Sequence, residues 1–179
     1  MTASEVRIRP ASLGDAATIA DVGARAFRAA YGPHANRDDI EAQIRDYFSV
    51  AAVRSALEQQ GQRYLLASVG GLPGGIAKFR QAPCPLPGGD ENACELQQLY
   101  VLAEKQGHGL GRRLVDAVTD IARQDGARGI WLSAWEFADW AIGFYKNIGF
   151  TALGTVEFRL GTTVHNDRLM WLPLRAAPG

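Results

Sequence analysis

Cysteine is scarce in this sequence. Cys84 and Cys94 are the only two, and neither belongs to a Cys-x-x-Cys pair or has a histidine at ligand spacing. That argues against a disulfide scaffold and the common zinc signatures, so no metal and a reduced, cytoplasmic location are expected. Charge of one sign is lacking too. Lys+Arg and Asp+Glu both count 19, which leaves no net field to draw the chain to nucleic acid or an anionic membrane. No apolar run approaches the length of a bilayer span, and the first residues, Met1 to Arg7, lack the apolar core of a signal peptide. Neither nucleic acid nor membrane is expected as a partner.

What remains is ordinary globular material, 47% hydrophobic and 21% charged over 179 residues. Length and the absence of a composition break predict one domain over 1–175, with 176–179 as a frayed tail. Val6 to Arg9 reads as a strand. Ser12 and Asp15 then offer N-caps to a helix whose apolar residues Ile19, Val22, Ala26 and Ala30 recur at helical spacing until Gly32-Pro33. Amphipathic segments follow over Asp38–Phe48 and Val50–Gln60. Strands are predicted at Arg63–Val69 and Gly75–Arg80, joined by a turn over Gly70–Gly74, and Ala82–Asp90 reads as a loop.

The second half alternates. A strand at Glu95–Leu102 leads through a glycine-rich loop to a helix with Leu114, Val115, Val118 and Ile121 on one face, closed by Asp125-Gly126. A strand at Gly129–Trp135, a helix at Asp139–Ile148, and strands at Phe150–Leu160 and Asn166–Leu172 complete the chain. This order predicts an α/β (α+β) layer with a mixed sheet.

The loop carries chemistry. Gln106-Gly107-His108-Gly109-Leu110-Gly111 sets three glycines at a helix N-terminus, where free N–H groups and the positive end of the helix dipole suit a phosphate or pyrophosphate. The dipole contributes only about 0.3–1 kcal/mol, so hydrogen bonds from a closely approached backbone must supply the rest. A P-loop needs Gly-Lys-Ser/Thr, which is missing. A dinucleotide fingerprint needs a different glycine spacing, although Glu136 falls near its acidic position. A glycine turn that merely packs tightly is the plain alternative.

Gln106, Gly109 and Gly111 match the pyrophosphate motif Gln-x-x-Gly-x-Gly/Ala, and the chain resembles the GNAT acetyltransferases from Glu95 to Phe150. Within that span, Trp131–Glu136 and the run Ala141 to Phe150 look like the family's next strand and helix. The ending, Glu157–Gly161 and Asn166–Met170, is similar to that of PaiA-type polyamine acetyltransferases. The resemblance implies a GNAT fold, one mixed, mostly antiparallel sheet of about seven strands with about four flanking helices, and acetyl-CoA as co-substrate. It also implies transfer to a primary amine of a small molecule, with a polyamine as the finer reading and a homodimer as a candidate state.

By the same resemblance, Leu99, Tyr100 and Val101 would bond the pantetheine arm like an added strand. Gln106, Gly107, His108, Gly109, Leu110, Gly111 and Arg112 would hold the pyrophosphate, and Ala138, Phe144 and Lys146 would border the cofactor. Ala138 departs from the family pattern, which often has Asn there, so a side-chain hydrogen bond to the cofactor is either missing or supplied by Asp139. Phe27 and Tyr31, ending the first helix, would line part of the acceptor pocket, or else pack the core. Tyr145 is the candidate general acid, because a phenol with pKa about 10 can return a proton to a departing thiolate; an aromatic packed between helix and sheet is its plain alternative. Deprotonating an ammonium at pH 7 costs about 4.6 kcal/mol, which calls for a carboxylate; Glu95 and Glu136 are the candidates. Each has a solvated surface carboxylate as its plain alternative. A non-catalytic acyl-CoA sensor, or an acceptor that is an amino acid, an aminoglycoside or a protein N-terminus, stays open.

Overall fold

The structure, a computed structural model, describes residues 5–87 and 89–174; the predicted tail at 176–179 lies outside the described residues. Seven strands are β1 (Val6–Pro10), β2 (Arg63–Val69), β3 (Leu72–Gln81), β4 (Ala93–Val101), β5 (Gly129–Ala134), β6 (Thr151–Leu160) and β7 (Thr163–Pro173). Helices are α1 (Ala16–Tyr31), α2 (Arg37–Phe48), α3 (Val50–Glu58), α4 (Leu110–Gln124) and α5 (Asp139–Asn147), with 3₁₀ turns at Leu13–Asp15 and Ala103–Lys105. The strands join in one mixed sheet of order β1-β2-β3-β4-β5-β7-β6. The α/β reading and its seven strands hold. Only Ser49 separates α2 from α3, and its side chain caps α3 by accepting the Ala52 N–H at 3.2 Å.

The described residues group into two compact units, one running to Phe79 and including Gln98–Ala117, the other made of Arg80–Gln97 and the residues from Val118 onward. In the first, β1–β2 and β2–β3 pair antiparallel. Its core gathers Ile19, Val22, Phe27, Ile40, Phe48, Val53, Leu66 and Ile76. These residues come from one face each of α1, α2, α3 and the sheet, and each buried side chain of this size contributes about 1.5–3 kcal/mol. Arg28 of α1 clasps Glu41 of α2 at 2.8 and 3.0 Å, and Arg9 grips Asp15 at 2.7 and 2.8 Å. That second clasp, its hydrogen bond foremost, holds the Asp15 carboxyl well below the usual carboxylate range.

Boundaries of β4, β5, β6 and β7 shift from the expected ones, β7 starting at Thr163 and not Asn166, and two further differences have a clear physical reason. The turn over Gly70–Gly74 shrinks to Gly70-Gly71, both at positive φ, and β3 already starts at Leu72. Pro73 sits in the strand because the register jumps from Ala67↔Gly75 to Ser68↔Pro73; Gly74 is bulged out, and its carbonyl accepts the Leu102 N–H at 2.9 Å. Helix α3 stops at Glu58, two residues early, because Gln59 turns extended ahead of Gly61.

In the second unit β4 and β5 run parallel from Ala93↔Gly129, while β5–β7 and β6–β7 pair antiparallel. A parallel pair needs a crossover connection, which is the role of α4. Trp131 anchors a small core with Cys84, Ala93 and Leu169, its Nε1 donating to the Ala82 carbonyl at 2.9 Å. Gly129 is required where it stands, since a Cβ there would enter the Trp171 ring. Cys84 and Cys94 are buried and are not joined in a disulfide.

Candidate functional site

The loop before α4 has the form its glycines suggest. After the 3₁₀ turn Ala103–Lys105, Gln106 is extended, and Gly107 and Gly109 take φ of 79° and 73°. A side chain at either position would be strained, yet a Cβ there would meet nothing within 4 Å. The loop faces open space. Leu110, 1% exposed, pins the helix start, and the first helical bond runs from the Arg113 N–H to the Gly109 carbonyl at 3.0 Å. The N–H groups of Leu110, Gly111 and Arg112 precede that bond, at the positive end of a 15-residue helix. Gln106 Nε2 donates to the Val101 carbonyl at 3.4 Å, which ties the loop to the end of β4. His108 and Arg112 are exposed; Arg112 stands 3.9 Å from Asp116. Donors, dipole, space and the Arg112 guanidinium all fit a pyrophosphate.

In the same unit Leu99, Tyr100 and Val101 end β4, half-buried. The Tyr100 ring meets Phe27 edge-on at 6.0 Å and Phe48 at 5.5 Å, while Phe27 and Tyr31 lie 4.6 Å apart. Phe27 belongs to the core, at 7% exposure; Tyr31 is half-buried and packs against it.

The second unit holds the carboxylates and the phenol. Glu95 accepts a hydrogen bond from Arg80 Nε at 2.6 Å, its side chain 16% exposed. The half-buried Tyr145 ring packs edge-on against Phe144 at 5.2 Å and Phe150 at 5.4 Å. Ala138 is buried and caps α5 without a side-chain hydrogen bond, and Lys146 is exposed.

Glu136 follows β5 and accepts the main-chain N–H of Asn166 in β7 at 3.0 Å, with His165 Nδ1 3.7 Å from the same oxygen. Asp167 was assigned no role in the sequence reading. Its side chain is buried, Oδ1 has no hydrogen-bond donor, and burial pushes the carboxyl up to about 6, with His165 opposing and Glu136 reinforcing the rise. Asp167 shares the inward face of β7 with buried Leu169, a placement that only the fold reveals. Among the described residues no group of His, Cys, Asp or Glu has the arrangement of a metal site, and no helix is long and apolar enough to cross a membrane.

Known proteins place this geometry. The model of the acetyltransferase (GNAT) family matches residues 24–150. The uncharacterized N-acetyltransferase Mb2688 of Mycobacterium bovis is 31% identical over 156 residues, which cover 87% of this chain and 96% of that protein. The uncharacterized N-acetyltransferase YjgM of Escherichia coli is 35% identical over 99 residues, 55% of this chain and about half (52%) of its own length. Among solved structures, PaiA N-acetyltransferase from Thermoplasma acidophilum in complex with coenzyme A superimposes with a TM-score of 0.78 at 20% identity, covering 94% of this chain and 99% of that one, a likeness of fold. This chain belongs to the GNAT acetyltransferase family and is an acyltransferase.

Proposed function

We propose that the protein transfers an acetyl group from acetyl-CoA to a primary amine of a small molecule by direct attack in a ternary complex. A polyamine is the acceptor we favour, on the likeness to PaiA-type proteins. The observation that carries the reading is the open Gly107–Gly109 loop at the N-terminus of α4. The proposal covers one catalytic domain over 1–175 working in the cytoplasm, which the reduced state of Cys84 and Cys94 supports, and a homodimer as its assembly.

The co-substrate supplies an acetyl group activated as a thioester. Main-chain N–H groups of Leu110, Gly111 and Arg112 bind the pyrophosphate, with the Arg112 side chain adding charge. Gln106, His108, Ala138, Phe144 and Lys146 border the cofactor. The backbone of Leu99, Tyr100 and Val101 holds the pantetheine arm. An N–H at Leu99 or Tyr100 donates to the thioester carbonyl oxygen, a preorganised donor where negative charge develops. Glu95 takes a proton from the acceptor ammonium, directly or through water; Arg80 engages Oε2 and fixes the carboxylate's orientation. The neutral nitrogen bonds to the acetyl carbon, the carbon–sulfur bond breaks, the Tyr145 hydroxyl gives its proton to the departing sulfur, and the extra proton on the new amide nitrogen passes to the Tyr145 phenolate, directly or through water. Phe27 and Tyr31 contribute apolar surface to the acceptor pocket.

The test is thiol release from acetyl-CoA with spermidine, spermine, amino acids, an aminoglycoside and a short peptide. Acceptor-dependent release with an amine supports the reading, and spermidine turnover supports the finer one. Tight acetyl-CoA binding with no release in the presence of any amine would contradict transfer.

A further inference from the structure

Glu136, His165 and Asp167 form a charged cluster that the cofactor loop does not use. Residues 165 and 167 are two apart on β7, opposite Phe158 and Val156 of β6, and therefore share a face. Glu136 follows β5, where Ala134 pairs with Arg168; continuing that register brings it to Asn166, whose N–H it accepts. Two carboxylates thus converge beside one imidazole, and among the described residues neither carboxylate has a lysine or arginine partner.

Asp167 makes the cluster more than a solvated acidic patch. It is 5% exposed, and its Oδ1 is buried without a donor. Burying such an acceptor unpaired costs about 1–3 kcal/mol, a cost a ligand with N–H donors would remove. The surroundings suit a cation of organic character. Trp135 and Phe137 stand 5.4 Å apart, and their rings lie 5.7 and 6.1 Å from that of His165. Phe137 is 60% exposed, so an apolar ring borders the cluster at the surface. Aromatic rings beside carboxylates attract ammonium groups, and the cluster lacks the arrangement of a metal site.

We propose that Glu136, His165 and Asp167 bind an organic ammonium ion, with Asp167 as the buried acceptor. Carboxylates on two sides favour the protonated form of that nitrogen. It is therefore an anchor and not the attacking nucleophile, which must be neutral. Assigning the anchored ammonium to the acceptor rests on the acetyl-transfer reading, and it means the acceptor carries a second amino group. The binding site itself stands on the cluster alone.

The experiment is titration of the full chain, without acetyl-CoA, with propylammonium chloride, using 1-propanol as the uncharged control. Chemical shifts of the His165 ring and the Trp135 indole report occupancy. The expected result is saturable binding of propylammonium, no binding of propanol, and at least a tenfold loss of affinity in Asp167→Asn. Glu136→Gln gives a second reading that leaves the buried position untouched, with an expected loss of at least threefold. Equal affinity of both variants and the native chain, or equal response to propanol, would overturn the site. Because no acyl donor is present, failure of acetyl transfer leaves this result standing, and failure here leaves transfer standing.

Discussion

Arg80 Nε lies 2.6 Å from Oε2 of Glu95, so the carboxylate proposed as the base is a held group and not a free one. The pair links adjacent strands, Arg80 near the end of β3 and Glu95 near the start of β4. It leaves Oε1 for a proton.

Glu95→Gln keeps the shape and removes the proton acceptor. A positioned general base contributes about 10²–10⁴-fold. The expected outcome is a fall of kcat/KM by about 100-fold at pH 7, partly recovered at higher pH, where more of the amine is neutral in solution. Acetyl-CoA affinity should stay within about twofold, since the cradle is elsewhere in the chain. A pH–rate profile that matches the native enzyme would remove Glu95 from the mechanism.

The cradle has its own test at Gly109. Its φ of 73° costs an L-residue about 1–2 kcal/mol, although a Cβ would meet no atom of the protein. Gly109→Ala should therefore fold and weaken coenzyme A binding by about tenfold, as measured by calorimetry. Gly61→Ala, at φ 87° and also in open space, is the control: comparable strain, unchanged affinity.

Two helical glycines should respond with opposite sign. A Cβ on Gly23 of α1 would enter the buried Phe48 ring, whereas one on Gly143 of α5 meets nothing within 4 Å. Replacing Gly by Ala inside a helix gains about 1 kcal/mol, and overpacking a core costs about 1–3 kcal/mol. Urea unfolding should show Gly143→Ala stabilised by about 0.5–1 kcal/mol and Gly23→Ala destabilised by about 1–2 kcal/mol. Stabilisation of both would mean that Phe48 is not held as described.

Asp167 sets a pH dependence whose sign follows from its burial. Its folded-state pKa is raised from 3.8 to about 6, chiefly by desolvation. The fold thus holds a proton that the unfolded chain releases between about pH 4 and 6, and stability falls as pH rises through that window. The charged form then costs at most about 3 kcal/mol. Asp167→Asn should be more stable than the native chain by about 1–3 kcal/mol at pH 7.5, and nearly equal to it below about pH 4. An offset that does not change with pH would contradict the assignment.

Most of the fold was legible because its signals are local. The apolar spacing of α1, the Gly32-Pro33 stop and the β2 run Arg63–Val69 all fell where the pattern placed them. Pro73 misled because a β-bulge, which depends on the partner strand, lets proline sit inside β3. The cofactor loop was readable from three glycines and a strong helix. Asp167 was not, because one acid in Asn-Asp-Arg looks like surface until β6 and β5 cover it. The Arg80–Glu95 pairing is 15 residues apart in sequence, and no local rule predicts it.

The central claim is tested most directly by the mass of the acceptor after incubation with acetyl-CoA, run in parallel with the native enzyme and Tyr145→Phe. The account predicts an amine heavier by one acetyl group, formed in step with free coenzyme A. It further predicts that Tyr145→Phe lowers that rate at least tenfold while binding acetyl-CoA nearly as well. Free coenzyme A with no acetylated amine, or unchanged turnover in Tyr145→Phe, would contradict it.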